Sequence, residues 1–397
     1  MNIREGLTWR EIAVKGVIMS IPYARQSISE EDIKEVVEVL KSNIITDGPK
    51  VAEFEKKFSD YVGAKYAVAV STGTSGLHLA ALVAGIKEGT ELITSPMTFT
   101  ASAGCALFCG GKPVFCDIDG QGLIDPAKLG MKITEKTKAI IPVHYMGLPC
   151  NMSDIKKIAN KHKLIIIEDA CHALGARYLD SRIGDCKYSD MAVFSFHPVK
   201  LITTGEGGMI TTNSKELYDR LLRLRNHGMI KNPEKMISKN EGPWFYEIPE
   251  FGYNYRITDF QCALGMSQLI KVDGFIKRRR EIAAKYQAAF KGNKNIELIT
   301  ENPGQLNSYH LFVIKVKDKE TRLSLFNHLK KNGIHCQVHY IPVYWHGCYE
   351  KRGYKRGLCK NAESFYERII SIPMYPGLTD DEQNSVIKVI GDFFEKK

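Results

Sequence analysis

MAVFSFHPVKLITTGEGG, residues 191–208, predicts two apolar strands joined by a glycine-rich turn. The first strand covers residues 192–196, and the second covers residues 209–212. Between them, Pro198 bends the chain, and Lys200 follows directly. Taken alone, such a lysine usually buries its stem and keeps its ammonium in water. If the amine is instead desolvated, its pKa falls and it can act as a nucleophile, so the neighbouring motifs must decide between the two interpretations.

Upstream of this stretch, short apolar strands alternate with helices. Strands are predicted at residues 66–70, 91–94, 113–116, 139–143 and 164–167, and helices at residues 75–85, 101–108 and 153–162. This alternation is typical of an α/β domain with a mainly parallel sheet and helices on both faces. Ligands of such sheets bind at the carboxyl ends of the strands, where functional residues are therefore expected.

Downstream, the pattern changes. A helix is predicted from residue 255 to about residue 289, followed by strands at residues 296–299, 310–316 and 335–339. Helices at residues 320–332 and after the capping residue Thr379 complete a smaller α+β domain. We therefore predict an N-terminal extension at residues 1–18, a large domain at residues 19–270 and a small domain at residues 271–397. Residues 19–48 are expected to pack near the small domain.

Composition limits the class of protein. The 397 residues are 44% apolar and contain no run long enough to span a bilayer, and the N-terminus lacks the apolar core of a signal peptide, which predicts a cytoplasmic protein with no membrane partner. Ten dispersed cysteines without a C-x-x-C pair indicate reduced thiols and neither a disulfide framework nor a metal site. The net charge is +10, and the densest basic run, residues 277–280, is typical of a solvated helix face. No nucleic-acid-binding motif is present, so a small phosphate-bearing ligand explains the charge equally well.

The segment Val-Ser-Thr-Gly-Thr-Ser-Gly, residues 70–76, lies between a predicted strand and a predicted helix. Backbone amides at a helix N-terminus, with hydroxyls nearby and a glycine that permits close approach, form a phosphate site. A simple capped turn is the alternative, since the segment matches neither a Walker A loop nor a G-x-G-x-x-G motif. The hydroxyl of Ser195 could also reach a phosphate, although an ordinary strand serine would look the same.

Two further strand ends carry candidate residues. Asp169 ends the apolar strand Leu-Ile-Ile-Ile-Glu-Asp and either caps the next turn or holds a protonated ring nitrogen. His172 follows three residues later and could bind a ring hydroxyl, although a lone histidine is more often structural. Phe99, after another strand, is either a core residue or an aromatic platform for a ring. Together with a phosphate cradle and Lys200, these groups are the parts that a pyridoxal 5'-phosphate (PLP) site requires.

Three motifs carry a family resemblance: residues 71–75 (Ser-Thr-Gly-Thr-Ser), 168–173 (Glu-Asp-Ala-Cys-His-Ala) and 194–200 (Phe-Ser-Phe-His-Pro-Val-Lys). They resemble the DegT/DnrJ/EryC1/StrS family of sugar aminotransferases, and the similarity extends from about residue 21 to the C-terminus. It implies the type I, aspartate aminotransferase-like fold, with PLP bound covalently to Lys200, which moves the proton, and Asp169 paired with the ring nitrogen. The other cofactor-binding residues that it implies are Thr72, Gly73, Thr74, Phe99, His172 and Ser195. It also implies a homodimer with shared active sites, in which Asn254 reaches the partner's cofactor.

Within the family, the chain resembles in particular the subgroup that makes UDP-4-amino-4,6-dideoxy-N-acetyl-β-L-altrosamine, a precursor of pseudaminic acid. The implied reaction moves the amino group of L-glutamate to C4 of a UDP-linked 4-keto-6-deoxy-N-acetylhexosamine. Substrate-binding positions implied by this subgroup are Tyr23, Asn43, Ile44, Ile45, Thr46, His339, Tyr340, Ile341 and Pro342. Some family members are dehydratases with histidine at the Schiff-base position, which is Lys200 here, so transamination is favoured. A dTDP- or GDP-linked keto sugar and a non-catalytic PLP- or sugar-nucleotide-binding relative remain the alternatives.

Overall fold

The structure, a computed structural model, describes residues 20–232, 234, 236 and 242–395. The extension predicted for residues 1–18 lies outside these residues. The helices are α1 (Glu30–Leu40), α2 (Pro49–Val62), α3 (Gly73–Val83), α4 (Ala101–Phe108), α5 (Pro126–Leu129), α6 (Met152–His162), α7 (Lys215–Arg225), α8 (Asp259–Phe290), α9 (Lys319–Lys331), α10 (Gly347–Glu350), α11 (Lys360–Arg368) and α12 (Asp380–Glu395). Short 3₁₀ helices cover Gly130–Lys132, Tyr145–Gly147 and Val343–Trp345.

The strands form one large sheet and two small ones. They are β1 (Tyr66–Val70), β2 (Glu91–Thr94), β3 (Lys112–Phe115), β4 (Thr137–Ile141), β5 (Ile165–Asp169), β6 (Arg177–Tyr178), β7 (Ser181–Arg182), β8 (Met191–Ser195), β9 (Gly208–Thr212), β10 (Glu297–Leu298), β11 (Gln305–Leu306), β12 (Phe312–Lys315) and β13 (Ile369–Ile372). The large sheet has seven strands in the order β1-β9-β8-β5-β4-β2-β3. Its pairs β2–β3, β2–β4, β4–β5 and β5–β8 are parallel, whereas β9 runs antiparallel to both β1 and β8. The predicted α/β class with a mainly parallel sheet is confirmed.

The sheet is buried on both faces because its strands are apolar at successive positions. In β8, Ala192 and Phe194 face the core that contains α2, where the rings of Phe58 and Phe194 lie 5.0 Å apart. Met191 and Val193 face the opposite core, which α3 and α7 cover. Because alternate residues of a strand point to opposite faces, a continuous apolar run predicts this arrangement.

The C-terminal part has its own core around the antiparallel sheet β10-β12-β13. α12 begins at the predicted cap, where the Glu382 amide donates to Thr379 Oγ1 at 3.2 Å. The strand predicted at residues 335–339 is wrong, since only an isolated bridge joins Gln337 to Ser371. β13 pairs with β12 instead, and the residues that follow the bridge, His339 and Tyr340, line a cavity.

Helix α8 carries the basic run and joins the two cores. Arg278 pairs with Asp380 at 3.0 Å and Arg280 with Glu301 at 2.6 Å, but Arg279 is only 1% exposed. The interpretation of residues 277–280 as a solvated helix face is therefore wrong for Arg279, whose guanidinium is held inside by main-chain carbonyl groups. The predicted domain boundary at residues 270 and 271 falls inside α8 and stays a prediction.

The first described residues pack on the C-terminal part. The Ile21 amide donates to the Gly333 carbonyl at 2.9 Å, and the His335 amide donates to the Ile21 carbonyl at 2.9 Å. Further on, the carboxylate of Asp32 in α1 is buried and binds Lys271 of α8. Residues 20–32 thus contact both the C-terminal core and the long helix, while the extent of packing predicted for residues 19–48 stays a prediction.

None of the helices in the described part of the chain combines the length and the apolar character that a membrane crossing needs. All ten cysteines lie within described residues and are free thiols.

Candidate active site

A cavity of about 430 Å³ opens at one edge of the large sheet. Because β9 runs antiparallel to both β1 and β8, the carboxyl ends of β1 and β8 lie at the same edge as those of β2, β4 and β5. The turns that follow these five strands all contribute to its wall. The sheet topology thus brings together motifs that are more than 100 residues apart in sequence.

Lys200 lies in the turn after β8, where its amide donates to the His197 carbonyl at 2.8 Å. The side chain is half-buried and lines the cavity. Burial lowers the pKa of the Lys200 ammonium, and Cys171 and Asp169 oppose that shift. A lowered pKa increases the fraction of neutral amine, which is the form that attacks a carbonyl carbon and accepts a proton.

Asp169 is the last residue of β5, and its carboxylate is held on both oxygens. Oδ1 accepts from the Cys171 amide at 3.1 Å, and Oδ2 accepts from the Ser102 hydroxyl at 2.5 Å. Ser102 is itself bonded to Thr98 at 2.6 Å. The sequence interpretation missed Ser102, although one signal was available, because it is the only hydroxyl residue in the otherwise apolar helix α4.

The segment at residues 71–75 forms the start of α3 against the end of β8. Thr72 caps the helix and accepts from the Ser75 amide at 3.0 Å. A Cβ atom added to Gly73 would lie only 2.8 Å from Cβ of Ser195, so glycine is required for this contact. The first amides of a helix have no intrahelical acceptor, and here the first residues of α3 line the cavity together with Thr72 and Ser195.

Three histidines and a tyrosine form another wall. The rings of His172 and His310 lie 4.3 Å apart, and His172 Nε2 is 3.1 Å from the Tyr340 hydroxyl. His339 Nδ1 is 2.9 Å from the Ser371 hydroxyl. Burial and the charge of Lys200 lower the pKa of His339 to about 4, and burial lowers the pKa of His172 and His310 well below the ordinary value. All three imidazoles are therefore neutral near pH 7.

Two aromatic side chains border the opening. Phe99 is 58% exposed, and its ring centre lies 6.4 Å from that of Tyr340. Tyr23 packs against His339 with ring centres 5.7 Å apart. The exposed Phe99 is thus not a core residue in this chain, which removes the alternative interpretation of that position.

Most of the predicted site residues lie together. The cavity wall contains Tyr23, Thr72, Gly73, Thr74, Phe99, Asp169, His172, Ser195, Lys200, His339 and Tyr340. The residues of the predicted set that do not line it are Asn43, Ile44, Ile45, Thr46, Asn254, Ile341 and Pro342. Residues 43–46 and Asn254 are exposed, and Asn43 and Ile44 border a separate hollow of about 310 Å³. Their predicted roles, like those of the whole set, stay predictions.

Several wall residues were not predicted as binding residues, among them Cys171, His310 and Glu206. Cys171 and Glu206 lie inside stretches that the sequence did single out. His310 had no local signal, because it lies more than 130 residues from His172 at the start of an ordinary strand. Only the packing of the C-terminal part against the large sheet places it in the wall.

The model of the DegT/DnrJ/EryC1/StrS aminotransferase family matches residues 26–391. This chain belongs to that family. As a member, it is a PLP-dependent sugar aminotransferase with the fold of that class.

Two curated relatives of this family member cover nearly all of both chains. The spore coat polysaccharide biosynthesis protein SpsC of Bacillus subtilis is 42% identical over 94% of this chain and 96% of its own length. The UDP-4-amino-4,6-dideoxy-N-acetyl-beta-L-altrosamine transaminase of Campylobacter jejuni (strain 81-176) is 37% identical over 95% of this chain and 98% of its own length.

Solved structures agree with this family assignment. Helicobacter pylori PseC, an aminotransferase involved in the biosynthesis of pseudoaminic acid, has a TM-score of 0.88 and 32% identity and covers 95% of this chain and 100% of its own. The PLP form of the sugar aminotransferase Spr1654 of Streptococcus pneumoniae has a TM-score of 0.88 and 30% identity and covers 95% and 99%. The type I fold is thus confirmed.

The wall of the cavity fits PLP. Its volume is within the usual range for small-ligand sites, and the close approach at Gly73 leaves amides and hydroxyls for a phosphate. In addition, Nδ1 of His172 is buried without a hydrogen-bond partner in the described chain. A buried polar atom without a partner destabilises the fold unless a ligand or a water molecule forms a hydrogen bond with it.

Proposed function

We propose that this aminotransferase moves the amino group of L-glutamate to C4 of a UDP-linked 4-keto-6-deoxy-N-acetylhexosamine. The product would be UDP-4-amino-4,6-dideoxy-N-acetyl-β-L-altrosamine, which feeds pseudaminic acid biosynthesis. The observation that carries this proposal is the 37% identity to the Campylobacter jejuni transaminase, which extends over 95% of the chain. A cytoplasmic location remains a prediction of the sequence.

Lys200 is proposed as the residue that binds PLP covalently and then moves the proton. Its amine lies in the cavity wall, where burial favours the neutral form, so it would be able to accept a proton from a bound substrate. Bound PLP supplies an electron sink when that proton leaves. Asp169, which is fixed by Ser102 and the Cys171 amide, is proposed to keep the ring nitrogen protonated.

The sugar is proposed to bind against Tyr23, His339 and Tyr340, which border Lys200 in the same wall. Within the described chain, Lys200 is the only lysine or arginine of that wall. A diphosphate normally takes several cationic or amide donors, so its partners are expected to come from outside this wall. A second subunit is one source of such donors.

We further propose that the enzyme is a homodimer in which each subunit completes the other's site. Segment 28–45 exposes several large apolar side chains, which are Ile28, Ile33, Leu40, Ile44 and Ile45. An exposed apolar set of this kind is typical of a protein interface. Residues 43–46 and Asn254, which do not line this chain's own cavity, would then contact the partner's ligands.

The identity of the product tests the substrate. We expect mass spectrometry to detect one amino sugar after incubation with glutamate and the UDP-4-keto sugar, and NMR to place the amine at C4. Glutamate alone should remove the visible absorption band of the bound cofactor, and Lys200→Ala should show neither the band nor the change. If glutamate leaves the spectrum unaltered, L-glutamate is not the amino donor. If the enzyme converts only keto sugars that carry another nucleotide, the assignment of a UDP-linked substrate is wrong.

Another nucleotide-linked keto sugar is the second candidate substrate, since one relative has a different pathway in its name. SpsC, which is 42% identical, is described as a spore coat polysaccharide biosynthesis protein. A dTDP- or GDP-linked keto sugar is the alternative substrate, and parallel incubations with the UDP-, dTDP- and GDP-linked keto sugars distinguish it from the proposed one. A non-catalytic relative is disfavoured because Lys200 and Asp169 both line the cavity, and turnover of any of the three sugars would exclude it.

A further inference from the structure

His172 and His310 form a buried pair in the cavity wall. His172 follows β5, and His310 precedes β12, so two distant parts of the chain meet here. Their ring centres are 4.3 Å apart, and the residues are 5% and 4% exposed. The pair belongs to the same wall as Lys200.

The hydrogen bonding of this pair is incomplete. Among the described residues, the ring of His172 bonds to the Tyr340 hydroxyl through Nε2, and Nδ1 of both His172 and His310 has no partner. A buried polar atom without a partner costs about 1–3 kcal/mol. Two of them side by side indicate that the pair serves the cavity and not packing alone.

The charges around His310 favour a neutral ring. After burial, the groups that lower the pKa of His310 are His172, Lys200, Arg279 and His339. Two of these groups, the Lys200 amine and the Arg279 guanidinium, are positively charged when protonated. Protonation of His310 would therefore place a further charge beside existing ones in a region with little water.

The carboxylates of the cavity do not pair with His310, and the charge of Asp169 raises the pKa of Lys200 instead. Asp169 is bound by Ser102 and the Cys171 amide, and Glu206 is exposed at the wall. Neither carboxylate is hydrogen-bonded to His310 in the described structure.

The backbone that carries His310 is held from behind by Arg279. One guanidinium nitrogen, Nη1, donates to the carbonyl groups of Tyr309 at 3.1 Å, His310 at 3.2 Å and Met374 at 3.0 Å. Tyr309 has a φ of +50°, a conformation that is uncommon for a residue with a side chain. The guanidinium thus fixes a strained turn that presents the His310 ring to His172.

We propose that His310 is a positioning residue, whose ring covers the imidazole of His172, keeps water from it and fixes its orientation at the cavity wall. His172 would then offer the bound cofactor ring a neutral hydrogen-bonding atom. An uncharged His172 ring would also not repel a positive charge on Lys200. The inference rests on the proposed function, since His310 acts on the reaction only through His172.

NMR of PLP-free protein with ¹⁵N-labelled histidine rings tests this directly. Wild type, His310→Ala and His310→Phe would be titrated from pH 5 to pH 8, and His172→Asn would assign the signal of His172. We expect His172 to stay neutral in wild type and in His310→Phe, which keeps an aromatic ring in the stack. In His310→Ala, water reaches His172, so the pKa of His172 should rise toward the ordinary histidine value of about 6.5 although Lys200 and His339 still lower it.

Circular dichroism would show whether each variant is folded. If His310→Ala does not fold, His310→Asn replaces it, because asparagine also has no ring. The proposal is overturned if His172 titrates near pH 6.5 in wild type, or if it stays neutral in the folded ring-deficient variant.

In the PLP-loaded enzyme, the same ionisation should appear in the pH profile of kcat/KM for His310→Ala and not for His310→Phe. A profile without it would contradict a role in the reaction. A wild-type protein that does not bind PLP would refute the proposed function alone, because the NMR titration uses PLP-free protein.

Discussion

At the scale of single residues, the site depends on side chains that hold other side chains. Asp169 alone could swing away from a ligand, but Ser102 and the Cys171 amide restrain both of its oxygens. Hydrogen bonds to a charged group contribute about 1.5–3 kcal/mol each, which is more than neutral ones do. The orientation of the carboxylate is therefore set by α4 as much as by β5.

We expect Ser102→Ala to weaken PLP binding. Loss of one bond to the carboxylate, at about 1.5–3 kcal/mol, corresponds to a rise in the dissociation constant of roughly tenfold to a hundredfold. Absorbance titration of PLP-free protein with PLP measures this. Ser153→Ala is a matched control, because that hydroxyl bonds to Asn151 at 3.1 Å outside the cavity wall. Equal PLP affinity of Ser102→Ala and Ser153→Ala would contradict the role given to Ser102.

At the scale of elements, the phosphate cradle depends on how closely α3 begins against β8. An alanine at position 73 would bring its Cβ within 2.8 Å of Ser195 Cβ, so the helix start would have to move. Gly208 has the same property from the other side, since its Cβ would lie 2.6 Å from the Thr72 carbonyl oxygen. The glycines of these motifs thus allow two backbone segments to approach.

Gly73→Ala should therefore reduce affinity for PLP, by at least about tenfold (1.4 kcal/mol), and leave affinity for pyridoxal, which lacks the phosphate, nearly unchanged. Calorimetry with the two compounds measures the difference. Gly274→Ala in α8 is the control, because its Cβ would meet nothing within 4 Å and alanine favours a helix by roughly 0.5–1 kcal/mol. Equal losses of both compounds in Gly73→Ala would show a general disturbance and refute a cradle specific for phosphate.

At the scale of the whole molecule, a shared site predicts that two inactive variants can restore each other. In a mixed dimer of Lys200→Ala and Asn254→Ala, one site carries both substitutions and the other carries neither. Random exchange of subunits should therefore leave about a quarter of the sites intact. Activity of refolded mixtures, compared with each variant alone, measures this.

Lys200→Ala mixed with Asp169→Ala is the control for that experiment. Both residues line the cavity of one chain, so a mixed dimer has no intact site and activity should not return. Failure of the Lys200→Ala and Asn254→Ala mixture to exceed its components would remove Asn254 from the partner's site.

Acid should also destabilise the PLP-free fold through the cavity histidines. The folded-state pKa of His172, His310 and His339 lies below the unfolded value of about 6.5, so the unfolded chain binds more protons in this window. Their contribution is complete above pH 6.5 and falls as the pH decreases toward the folded-state values, by up to about 1.4 kcal/mol per pH unit for each histidine.

Urea unfolding between pH 7 and pH 5 measures this change in the free energy of unfolding. His172→Asn should lose the part of the slope that belongs to one histidine. A free energy that does not change from pH 7 to pH 5 would contradict the neutral state assigned to these rings.

Many strands and helices around the large sheet could be predicted from the sequence, because a strand buried on both faces is a continuous apolar run whose ends are easy to locate. Residues 66–70, 91–94 and 101–108 were predicted with the limits that the structure shows. The strands β6, β7, β11 and β13 were not predicted, and the first three have only two residues each, too few for a periodic pattern. Residues 335–339 were read as a strand, since a short extended segment has the same sequence pattern whether or not it pairs with another strand.

The sequence by itself determined the chemistry available to this protein: a lysine after a strand, an acid at the end of another, and a glycine-hydroxyl turn before a helix, each recognisable within a few residues. The tertiary structure alone decided which groups restrain them, namely Ser102 on Asp169 and His310 on His172. These contacts join residues far apart in the chain, whose proximity depends on strand order and on the packing of the C-terminal part. Local sequence patterns carry no record of either.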